Sequence, residues 1–84
     1  MNKEEIKEIK DLITFNFSDT VSAYKFLSKK GENYIDFMSF KDGINSLLSH
    51  RFKEINLLKI WNEIFGVDKC NYENYVKVFG ENKR

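Results

Sequence analysis

The chain has 84 residues, enough for one small domain with one core. Hydrophobic residues make up 42% and aromatics 15%, so a disordered chain is excluded as the main state. Fourteen Lys and Arg stand against 13 Asp and Glu. That balance excludes a strong nucleic-acid footprint, because the basic pairs Lys29-Lys30 and Lys83-Arg84 are isolated.

No run approaches the ~20 apolar residues that span a bilayer. The segment "MNKEEIKEIK" is charged from Lys3 onward, unlike a signal peptide, and a lone cysteine, Cys70, rules out an internal disulfide. These features predict a cytoplasmic chain forming a single domain over 1–84.

The first helix is predicted from Lys3 to Phe15. Asn2 and Glu5 fit a capping box, and Ile6, Ile9 and Ile13 recur at helical spacing. Ser18 or Asp19 caps a second helix, "TVSAYKFLSKK", with Val21, Tyr24 and Leu27 on its apolar face, Phe26 beside them and Gly31 as its stop. Tyr34 to Phe37 favour an extended backbone. Ser39 and Asp42 have the spacing of another capping box, which predicts a third helix from about Phe40 with Ile44, Leu47 and Leu48 on its stripe. A connector, "SHRFKEI", leads to a fourth helix over Ile55 to Phe65, ended by Gly66. Asn71 caps a fifth, "YENYVKVF", ended by Gly80.

Two stretches share one plan of helix end, loop, single strand residue, aromatic and helix start. "YKFLSKKGENYIDFMSF" aligns with "WNEIFGVDKCNYENY", so that Ile35 corresponds to Cys70, Phe37 to Tyr72 and Phe40 to Tyr75.

This doubled plan resembles a pair of EF-hands over roughly residues 20–80. In that family the eighth position of a twelve-residue loop bridges to its twin, the tenth is often aromatic, and an aromatic usually follows the twelfth. Those positions fall on Ile35, Phe37 and the site just before Phe40. The resemblance implies an all-α fold: a four-helix lobe with a short β-bridge through Ile35 and Cys70, plus an extra N-terminal helix. The parts are 1–17 for that helix, 18–50 for the first hand and 51–84 for the second. Phe37, Phe40, Tyr72, Tyr75 and Trp61 are expected to pack the helices around the bridge.

The ligand half of the signature is degenerate. A calcium loop places oxygen ligands at alternating positions and closes with a bidentate glutamate. The first loop opens at Ser28, has Lys30 at its third position and Asn33 in the place of the turn glycine, and closes on Ser39; Glu32 and Asp36 are its acids. The second is about two residues short, with Asn74 in the closing place and Asp68 as its acid. No metal and no cofactor are expected, calcium included.

His50, beside Arg51 at a helix end, reads as a partner of C-terminal carbonyls rather than a catalytic base. Cys70 reads as a buried bridge residue, and Asp36 and Asp42 as capping or solvated acids. Of the adjacent pair Leu57 and Leu58, one is expected to be exposed. With no nucleophile–base pair or phosphate loop, an enzyme is not expected. The implied function is a calcium-independent interaction or regulatory module, such as a light-chain-like subunit or a domain of a calcium-dependent kinase. Its partner is an amphipathic helix, of another protein or of a parent chain, held in a groove of Ile44, Leu47, Leu48, Leu57, Val76 and Phe79. Ile6, Ile9 and Ile13 either dock on the lobe or recognise something else. The alternative is a calcium sensor with irregular loops.

Overall fold

The computed structural model describes residues 3–48 and 52–80. The expected Asn2–Glu5 capping box, His50 with Arg51, and the Lys83-Arg84 pair lie wholly or partly outside these residues. Five helices follow one another: α1 (Lys3–Asn16), α2 (Thr20–Leu27), α3 (Phe37–Leu48), α4 (Glu54–Ile64) and α5 (Tyr72–Phe79). No helix among the described residues is long and apolar enough to cross a membrane.

Local chemistry sets most helix ends. The Asp19 carboxylate accepts from the Ser22 N–H at 2.7 Å and starts α2. Asn71 and Asn74 form a reciprocal capping box at the start of α5. Gly80 ends α5 at φ +78°, a left-handed value that glycine adopts without strain.

Two boundaries differ from the sequence reading by more than one residue. Helix α2 stops at Leu27, four residues before Gly31, because the Ser28 backbone turns extended and its hydroxyl donates to the Tyr24 carbonyl at 2.7 Å. Helix α3 begins at Phe37 rather than Phe40. Ser39 is its third residue, and its capping partner is Asp36 instead of Asp42. The Asp36 carboxylate accepts the Ser39 N–H at 2.8 Å, and the Ser39 hydroxyl accepts the Asp36 N–H at 3.1 Å. The box is opened by the acid: Asp36 is the N-cap and Ser39, three residues on, reaches back to it, so α3 starts three residues earlier than a box opened by Ser39 would place it.

Ile35 and Cys70 exchange two backbone hydrogen bonds, of 2.9 and 2.7 Å, in an isolated antiparallel bridge. These are the two residues expected to tie the loops. The two halves then run in step. Each bridge residue is followed by a cap (Asp36, Asn71), a half-buried aromatic (Phe37, Tyr72) and, three residues further on, a buried one (Phe40, Tyr75).

One core joins all five helices. Ile9 and Ile13 of α1 enter it with Ala23, Tyr24 and Leu27 of α2, Phe40 and Ile44 of α3, Leu57, Ile60 and Trp61 of α4, and Tyr75 of α5. The Trp61 ring lies 5.4 Å from Phe40 and 4.8 Å from Phe65, and Tyr75 stacks on Phe79 at 4.6 Å. Such offset and tilted pairs add to area burial by roughly 0.5–1.5 kcal/mol each. Helices α2 and α3 approach closely at Gly43, where an added Cβ would lie 2.7 Å from Leu27 Cδ2.

Candidate functional site

Two regions bear on function: the seat of α1, and the first loop with its cleft.

Helix α1 is amphipathic. Ile9 and Ile13 are buried, Ile6 and the following Phe17 pack partly against the core, and Phe15 on the opposite side is 88% exposed. The helix lies on α4. Its C-terminal end borders a crevice of about 30 Å³ formed with Ala23 of α2 and Tyr75 and Phe79 of α5. The neighbouring Thr20 hydroxyl donates to the Gly80 carbonyl at 3.2 Å, joining the start of α2 to the end of α5. Of the two roles open to Ile6, Ile9 and Ile13, docking is the one the structure adopts.

Two of the six residues expected to line a groove lie in the core. Ile44 and Leu57 are fully buried, a correction to their assignment as groove-lining surface. Leu57 lies on α4, the helix that α1 covers. Phe79 is partly buried and shares the crevice with Ile13. Leu47 and Val76 are half-buried, and the Leu48 side chain lies outside the described residues. Leu58, next to the buried Leu57, is exposed, so the pair splits as adjacency on a helix requires.

The first loop turns on itself. Lys29 donates its backbone N–H to Tyr34 and Glu32 donates to Lys29, both at 2.8 Å, and Gly31 sits at φ +84°. The Tyr24 hydroxyl reaches over from α2 to the Asn33 carbonyl. Three of the polar groups at the loop's expected ligand positions are engaged elsewhere. Ser28 bonds the end of α2, Ser39 caps α3, and Asp36 both caps α3 and lies 4.0 Å from the Lys29 ammonium. Among the described residues, no group of three His, Cys, Asp or Glu side chains is placed to hold a metal ion. Asp42 is exposed and forms no pair with Asp36.

The second loop is closed by Trp61. Its indole N–H donates to the Val67 carbonyl at 3.0 Å, and the Gly66 backbone N–H donates to the Trp61 carbonyl at 3.1 Å. Burial pushes the Cys70 thiol up to about 12, so it is neutral and poorly nucleophilic at physiological pH. Burial, with the nearby Cys70 and Tyr72, also raises the Tyr75 hydroxyl.

A cleft of about 350 Å³ lies over the first loop, walled by Val21, Tyr24 and Tyr72 and edged by Lys25, Lys29 and Lys30. The sequence reading set Lys29-Lys30 aside as an isolated basic pair. Lys25 lies on α2, four residues before Lys29, and the fold brings both beside Tyr72 of α5.

No family model, curated protein or solved structure matches the chain.

Proposed function

We infer that the chain is a calcium-independent interaction module of the EF-hand kind, which holds an amphipathic helix against an apolar face and carries out no catalysis. The observation that carries the reading is α1: an amphipathic helix seated on the four-helix unit α2–α5, with Ile9 and Ile13 in its core. Helix-in-groove recognition uses apolar anchors at such i, i+3, i+4 and i+7 spacing, and Ile6, Ile9 and Ile13 supply it. The Ile35–Cys70 bridge and the matched positions of Phe37 with Tyr72 and Phe40 with Tyr75 support the family reading. The engagement of Ser28, Ser39 and Asp36 in capping supports independence from calcium.

In this reading α1 is the resident helix, and a partner helix of similar pattern competes for its seat. The test uses the full-length chain carrying Ile9→Asp and Ile13→Asp, which weakens the internal helix. A synthetic peptide of residues 3–16 is titrated in while backbone amides are followed by nuclear magnetic resonance. Saturable shifts at α4 amides around Leu57 and Ile60, absent with a peptide carrying the same two substitutions, are expected. A helical double variant whose spectrum ignores the native peptide would contradict the reading.

A further inference from the structure

We propose that the cleft over the first loop binds a small aromatic phosphate ester. The proposal does not depend on the helix-binding reading. The whole chain carries a net charge of only +1, yet this one cleft is lined by Lys25, Lys29 and Lys30 against a single acid, Glu32. Lys29 is partly met by Asp36 at 4.0 Å. Lys25 acts on the Asp19 carboxylate from a distance, but that group is already held by the Ser22 N–H. Lys30 makes no ion pair among the described residues. Ammonium groups on flexible stems suit a phosphate, which accepts charge-assisted hydrogen bonds from several directions.

Beside the lysines, and with Ser28, Gly31 and Asn33 completing the lining, the wall has an apolar part. Val21 and the rings of Tyr24 and Tyr72 form it, the two rings meeting edge to face at 5.3 Å. Tyr72 is half-buried and offers ring surface to a planar guest. A volume of about 350 Å³ is near the lower end for ligand sites, roughly 300–1,000 Å³, and leaves room for a ring and one phosphate. The backbone bonds from Lys29 to Tyr34 and from Glu32 to Lys29 hold the loop in shape before any ligand arrives.

The test is a nuclear magnetic resonance titration of the full chain with phenyl phosphate and with adenosine 5′-monophosphate, set against inorganic phosphate and adenosine. Saturable shifts at Lys29, Lys30, Gly31 and Tyr72 are expected with both esters, at lower concentration than with either half-ligand. Affinity should fall as ionic strength rises from about 0.01 to about 0.1 M, where the screening length shortens from ~30 to ~10 Å. Replacing Lys25, Lys29 and Lys30 by Gln should weaken binding about tenfold or more with an unchanged melting temperature, since all three are exposed. Should the triple variant melt early, Lys30→Gln alone serves, with about a threefold loss expected. Absence of saturable shifts at the loop overturns the proposal. So does inorganic phosphate binding as tightly as the esters, or an affinity indifferent to the lysines.

Discussion

Phe40 shows how much one side chain carries. It is fully buried, with the rings of Trp61 at 5.4 Å and Phe65 at 6.3 Å. Phe40→Ala should cost about 3–5 kcal/mol by loss of transfer energy and opening of a cavity. Domains of this size hold only about 5 kcal/mol or somewhat more, so the variant should be largely unfolded, as urea denaturation will show. Its burial was legible from the repeat, which set it opposite Tyr75. Cys70 gives a second test at this scale. Its folded thiol titrates near 12, raised by burial, against an ordinary value of 9.0. Below about pH 9 both folded and unfolded chains hold the proton, and stability is unaffected. Between about pH 9 and 12 the unfolded chain releases it while the native one keeps it, so stability is lost as pH rises through that window. Tyr24 and Tyr75, also raised by burial, act in the same direction. Urea midpoints measured from pH 7 to pH 10.5 should stay level and then decline, and Cys70→Ala should reduce the decline.

Among the elements, α5 was legible to its ends, since Asn71 and Gly80 mark both by local chemistry. Helix α3 was misread by one turn because Ser39 has two possible capping partners by spacing, Asp36 and Asp42, and only the fold shows that Asp36 is the one used. The contact of α2 with α3 was hidden for a different reason: Gly43 inside a helix reads as a weakness until Leu27 is seen against it. Gly43→Ala should gain about 0.5–1 kcal/mol of helix propensity but cost about 1–3 kcal/mol in overpacking. A net loss of about 1 kcal/mol is expected from chemical denaturation, since Leu27 is fully buried and has little room to yield. The two faces of α1 separate in the same assay. Ile9→Ala should cost about 2–5 kcal/mol, whereas Phe15→Ala, on the exposed side, should stay within about 0.5 kcal/mol.

For the whole molecule, the sequence carried the all-helical class and the doubled plan, because helical periodicity and capping are local signals. It left open where α1 goes, since an isoleucine stripe shows that a helix must be covered and not by what. The structure places Ile9 and Ile13 of that stripe in the shared core, together with Ile44 and Leu57. The lysine cleft was hidden in the same way, because it joins the end of α2 to a loop and to Tyr72 from the far half of the chain. The central claim is that this arrangement stands without calcium. Melting the full chain in about 1 mM calcium and in chelator tests it most directly, with calorimetric titration alongside. A sensor-like site of about 10⁻⁶ M would add about 4 kcal/mol at that concentration, and each kcal/mol moves the midpoint of so small a domain by about 4–8 °C. The account predicts coincident melting curves and no binding heat. A midpoint higher by several degrees in calcium, or a micromolar isotherm, would contradict it.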